Sequence, residues 1–145
     1  DAWVYDNAKV LGNAKVFDNA EVFDNTLVCD NTKIYDNTKL SGNCWVFDNT
    51  EVFGKAKISG NAEVSGDAYI SSSNDYLCIG PIGSRNDYTT FYKTKDKDIW
   101  VKCGCFDNSI EEFEKKVKEV HKDTVYEKDY LDAVKFAKAK MGRVI

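Results

Sequence analysis

The 145-residue sequence predicts a β-solenoid of four 18-residue coils over residues 1–73 and a small α+β module over residues 74–145. Three observations predict it. Residues 2–73 divide into twelve consecutive six-residue units without an insertion, every unit carries an aliphatic third residue, and the pattern stops at Ser71-Ser72-Ser73-Asn74. Self-similarity at a short fixed period is the mark of a repeat architecture.

The units run from AWVYDN, AKVLGN and AKVFDN to AEVSGD and AYISSS, with a third position that passes from Val4, Val10 and Val16 to Val64 and Ile70. The first position is always Ala, Thr or Cys. Residues two apart on a strand share a face, so positions one and three point inward and positions two and four outward. Positions five and six, Asp or Gly and then Asn, form a two-residue corner, where Asn and Gly tolerate positive φ. Three such sides close a prism with one coil per 18 residues. Each inner aliphatic residue then lies over the one 18 positions away, and Asn7, Asn25, Asn43 and Asn61 form a column.

The outward fourth positions are unexpectedly apolar. Phe17, Tyr35 and Phe53 share one side of the prism, while Leu11, Leu27, Cys29, Trp45 and Phe47 share another. Exposed apolar surface marks interfaces, although stacked rings also shield one another. The expected partner is a second copy of the chain, as a trimer or dimer, with docking of another domain as the alternative use of the patch. Asp1 occupies the corner position of a preceding unit, so the array is expected to continue upstream or to meet a partner there. Stacked pairs such as Asp6 over Asp24 suggest a cation site, but Gly12, Gly42 and Gly54 interrupt the columns, which favours ordinary corner chemistry. Thr26, Thr32, Thr38 and Thr50 point inward, which removes an ice-binding role.

These units resemble the hexapeptide-repeat family, whose commonest wording is close to VxGNAxV. The resemblance implies a left-handed parallel β-helix over residues 1–73, and a trimeric assembly. Many members of that family are acyltransferases with a histidine on the solenoid as general base and a loop that interrupts the repeat. Neither feature occurs between Asp1 and Ser73. No catalytic residue is therefore assigned, and the solenoid reads as a scaffold. The solenoid's net charge of −5 raises mimicry of a nucleic-acid backbone, which the interleaved lysines disfavour.

After Asn74, YLCIG, DYTTFYKT and DIWVKCGCF read as three strands. Asp107-Asn108-Ser109 leads into a helix with a capping box from Ser109 to Glu112 and Ile110, Phe113, Val117 and Val120 on one face. A second helix runs from about Thr124 to Met141 with Tyr130, Val134, Ala137 and Met141 in line, and Gly142 stops it. The candidate ligand site is the loop Gly80-Pro81-Ile82-Gly83-Ser84-Arg85, whose amides and arginine would cradle a small anion, with Tyr88, Tyr92 and Trp100 for stacking. The plainer alternative is a tight hairpin loop whose Arg85 pairs with a nearby Asp. Cys78, Cys103 and Cys105 are too few for a zinc site and read as small core residues, so no metal or other cofactor is assigned. His121 at a helix C-terminus needs no catalytic explanation. The wording from DYLCIGPIGSRNDYTTFY through WVKCGCF to SIEEFEKKVKEVH resembles tail domains of uncharacterised bacteriophage and mobile-element proteins, and that resemblance carries no activity.

Composition sets the outer bounds. A net charge of −4, with only Arg85 and Arg143 as arginines, argues against a nucleic-acid binder. No apolar run approaches the roughly 20 residues of a membrane helix. Five cysteines without regular spacing favour a reducing cytoplasm, and the resemblance to tail domains of bacteriophage proteins implies that of a bacterial host. The expected function is a non-enzymatic binding and assembly protein that holds a host protein or a small nucleotide-like anion, as in counter-defence. The alternatives are an acyltransferase relative and a purely structural oligomer.

Overall fold

The structure is a computed structural model and describes residues 1–142. Arg143 lies outside them. The repeat forms β1 (Trp3–Val4), β2 (Lys9–Val10), β3 (Lys15–Val16), β4 (Glu21–Val22), β5 (Leu27–Val28) and β6 (Lys33–Ile34). It continues with β7 (Lys39–Leu40), β8 (Trp45–Val46), β9 (Glu51–Val52), β10 (Lys57–Ile58), β11 (Glu63–Val64) and β12 (Tyr69–Ile70). Every third strand stacks in parallel, giving three faces in the orders β1-β4-β7-β10, β2-β5-β8-β11 and β3-β6-β9-β12. The register is 18 residues throughout, as in Val4 to Val22 and Val22 to Leu40. Positions one and three fill the interior: Ala20, Val22, Val28, Ile34, Leu40 and Val46 are fully buried, and the four repeat threonines lie among them.

At the corners the residue in the left-handed region is position five, so the Asn at position six needs no positive φ. Asp6, Asp18, Asp24, Asp30, Asp36 and Asp48 all sit at φ 57–62°. Aspartate is costly there relative to glycine, and a local bond offsets it. Asp24 Oδ2 accepts from the Gly42 N–H at 2.9 Å, Asp36 Oδ2 from Gly54 at 3.0 Å, and Asp48 Oδ2 from Gly66 at 2.9 Å. The carboxylates thus hold one coil to the next. Among the described residues no cluster of three His, Cys, Asp or Glu side chains could hold a metal ion. The Asn column forms an amide ladder in which Asn7 donates to Asn25, Asn25 to Asn43 and Asn43 to Asn61, at 3.2, 3.2 and 3.5 Å.

The outward aromatic rings largely cover each other. Phe17 stacks on Tyr35 at 5.0 Å and Tyr35 on Phe53 at 5.3 Å, which leaves Tyr35 and Phe53 half-buried. On the second face Leu27 and Phe47 are half-buried too, whereas Leu11 and Trp45 are 52% and 50% exposed.

The module contains one more strand than the sequence predicts. β13 (Tyr76–Ile82), β14 (Asp87–Lys93), β15 (Ile99–Cys103) and β16 (Phe106–Ser109) form an antiparallel sheet in chain order. The fourth strand, Phe-Asp-Asn-Ser, lacks an alternating apolar pattern; the left-handed Gly104 turns it back onto β15. β13 also runs past YLCIG, through the cis Gly80–Pro81 bond to Ile82. Ser109 and Thr124 cap α1 (Ile110–Val120) and α2 (Val125–Met141) by accepting from the N–H groups of Glu112 and Glu127. Ile110, Phe113 and Val117 are buried, as are Tyr130, Val134, Ala137 and Met141, but Val120 at the end of α1 is exposed.

Strand alternation makes this sheet the middle of three layers. Tyr76, Cys78, Tyr92 and Trp100 face the last solenoid coil, while Leu77, Ile79, Phe91, Val101 and Cys103 face the helices. The solenoid end is closed by side chains as well as packing. Tyr92 Oη meets Ser65 Oγ at 3.2 Å, and the Glu63 and Ser59 N–H groups donate to Thr90 Oγ1 and Tyr76 Oη.

Candidate functional site

The β13–β14 connection directs Ser84 and Arg85 toward the helix side of the sheet. Gly83 at φ 78° and Asn86 at φ 50° make the turn, and the Asn86 N–H donates to the Gly83 carbonyl at 3.1 Å. Two glycines, both in the left-handed region at φ 78° and 58°, leave room for neighbouring side chains. A Cβ on Gly83 would lie 1.9 Å from Tyr130 Oη, and one on Gly104 would lie 2.1 Å from Arg85 Nη1. The phenol of α2 and the guanidinium of the loop are therefore seated directly on backbone.

Around them is a cavity of about 290 Å3. Phe106, Phe113, Val117 and Val120 supply its apolar wall, and Ser84, Arg85, Lys116, His121 and Tyr130 supply polar groups. Cys103 and Cys105 complete the lining, which contains no carboxylate among the described residues. Neither Arg85 nor Lys116 takes an acidic partner among the described residues. The expected alternative of an Arg85–Asp pair is therefore not what the loop does.

The wall is ordered by ring contacts. Phe113 meets Phe106 at 5.2 Å and Tyr130 at 5.6 Å, and the His121 ring lies 5.4 Å from Tyr130. Burial pushes the Tyr130 phenol up to about 12; the Cys103 thiol adds to this, while Ser84 and Arg85 oppose it. At neutral pH Tyr130 is an uncharged hydroxyl. Two cations, an imidazole and two hydroxyls beside an apolar wall can hold a small anion with an apolar body, because nothing in the wall repels it.

Only part of the sequence-predicted site converges here. Ser84 and Arg85 line the cavity and Gly83 backs it through Tyr130; Gly80 lies away from it, packed against Asp87 and Tyr88. Tyr92 and Trp100 are corrections. They are directly paired on β14 and β15, so both side chains point to the opposite face of the sheet. Tyr92 is fully buried under the solenoid, and Trp100 Nε1 donates to Asp107 Oδ1 at 2.8 Å. Tyr88 is partly exposed but lines a different cleft, with Trp45. Cys78 faces the solenoid, which separates it from Cys103 and Cys105, and Cys105 is exposed rather than core.

Lys116, His121 and Tyr130 were not legible as site residues. Lys116 on α1 and His121 at its C-cap lie beside the buried Phe113 and Val117, a placement readable as a helical face but not as facing the loop. Tyr130 reads from the sequence only as a core position.

No protein-family model, curated protein or solved structure matches this chain. Among the described residues no helix is long and apolar enough to cross a membrane.

Proposed function

We propose that the chain is a non-enzymatic binding and assembly protein of phage origin, in which the solenoid is the scaffold and the module captures a small nucleotide-like anion. Its use would be to withdraw that ligand from a host response. The observation that carries this is a cavity, free of carboxylates among the described residues, where Arg85 and Lys116, without an acidic partner among those residues, meet His121 and Tyr130 beside an apolar wall. A volume of about 290 Å3 suits a mononucleotide-sized guest, just below the roughly 300–1,000 Å3 common for ligand sites. The exposed Leu11, beside Leu27 and Phe47 on the same face, supports self-association as the role of the solenoid.

A non-enzymatic reading is favoured over acyl transfer because the repeat holds no imidazole, and His121 sits in the module at the end of α1. Isothermal titration with adenosine and guanosine monophosphates and cyclic dinucleotides tests the reading. Binding of at least one is expected, weakened at least about tenfold, or about 1.4 kcal/mol, in Arg85→Ala and in Lys116→Ala. Unchanged binding in both variants, or no binding by any nucleotide, would refute it. Acetyl transfer from acetyl coenzyme A that His121→Ala abolishes would favour the enzyme instead.

A further inference from the structure

On the solenoid side of the sheet, a cleft of about 410 Å3 lies between the second solenoid face and the strands above it. We propose that this cleft binds a saccharide, at a site separate from the anion cavity. Trp45 on β8 and Tyr88 on β14 both line it, 50% and 36% exposed. Most other outward solenoid rings touch a neighbour: Tyr5 stacks on Phe23, Phe17, Tyr35 and Phe53 form a column, and Trp3 and Tyr69 meet Tyr5 and Phe53 edge-on, while half-buried Phe47 makes no ring contact among the described residues. Trp45 and Tyr88 make no ring contact among the described residues, and they open onto the same space.

Several polar groups between them keep bonding capacity to spare. Glu63 and Lys102 line the cleft, yet neither forms an ion pair with the other or with any described residue. Asn61 ends the amide ladder: it accepts from Asn43 at 3.5 Å, and its own NH2 has no acceptor among the described residues. Asp87 adds a carboxylate whose Oδ1 takes the Tyr88 N–H at 2.7 Å.

A pyranose matches this set. Its C–H face covers an exposed indole, and its hydroxyls both donate and accept, so they can use an ammonium, an amide NH2 and carboxylates around one ring. Two carboxylates against one lysine disfavour a phosphorylated guest. A nucleobase would use the same rings but presents fewer groups able to satisfy both kinds of partner.

The test is saturation-transfer NMR and calorimetry on the intact chain with glucose, N-acetylglucosamine and their β-1,4-linked dimers, with adenosine as the control. At least one saccharide should saturate the protein, weakening by at least about tenfold in Trp45→Ala and in Glu63→Gln. Lys116→Ala, in the other cavity, should leave that binding unchanged, so the two sites fail or stand separately. Circular dichroism checks the fold of each variant, and Trp45→Phe, which keeps a ring, should retain part of the affinity. Absence of saturation up to about 20 mM, where even weak binding registers, would overturn the proposal. So would saccharide binding indifferent to Trp45→Ala and Glu63→Gln, or adenosine binding through Trp45 in place of every saccharide.

Discussion

Thr32, Thr38 and Thr50 occupy the same inward position of the repeat, and all three are fully buried. Their hydroxyls fare differently. Thr38 Oγ1 donates to the Tyr35 carbonyl and Thr50 Oγ1 to the Phe47 carbonyl, both at 2.8 Å, but Thr32 Oγ1 has no partner among the described residues. A buried polar group without a partner costs about 1–3 kcal/mol, whereas a made bond contributes about 1 kcal/mol. Thr32→Val should therefore raise unfolding stability by about 1 kcal/mol and Thr38→Val should lower it by a similar amount. Urea denaturation at neutral pH measures both, and equal losses in the two variants would contradict this account. The inward placement of these residues was readable because alternation fixes it in every unit. Which hydroxyl finds a carbonyl was not readable, since that depends on small differences in rotamer and corner geometry between units of identical pattern.

At the scale of elements, β14 joins the two halves. Its even-numbered residues Thr90 and Tyr92 close the solenoid, and its odd-numbered Phe91 packs into the helical core. Sequence alternation identifies two faces of such a strand, but both are covered here, so it does not say which face meets which neighbour. Tyr92 and Trp100 were expected at the ligand loop for that reason. Burial raises the Tyr92 phenol well above its ordinary value of 10.0, despite the bond from Ser65 that opposes the shift. Tyr130 is raised to about 12. A phenol raised in the folded state keeps its proton while the unfolded chain loses one near pH 10. Their contribution is whole below about pH 10 and declines as the pH rises toward the folded values. Urea midpoints should be level up to about pH 8, begin to fall near pH 9 because burial also raises the Cys44 and Cys78 thiols, and fall further above about pH 10, with a shallower fall at that end in Tyr92→Phe. A midpoint that rises through that range would contradict the burial of these phenols.

The whole molecule is a solenoid, a sheet and a helical layer in series. The solenoid was legible almost entirely, because one pattern written twelve times assigns every inward, outward and corner position with internal checks. The structure was needed for the partners of the inward hydroxyls and for the corner chemistry, where Asp rather than Asn takes the left-handed conformation. The module was legible as three of its four strands, its two helices and the Ser84–Arg85 edge of the site, but not as a closed cavity. Each of its elements occurs once, and the cavity arises only where α1 and α2 are laid over the sheet, bringing Lys116, His121 and Tyr130 to Ser84 and Arg85. The central claim is that this meeting point holds a small anion. A 1H–15N correlation titration of the 16.4 kDa chain with the tightest-binding nucleotide tests it directly. Saturable shifts are expected at Ser84, Arg85, Cys103, Lys116, His121 and Tyr130, with the corner amides of the solenoid unmoved. Shifts confined to the solenoid, or none at nucleotide saturation, would contradict the claim.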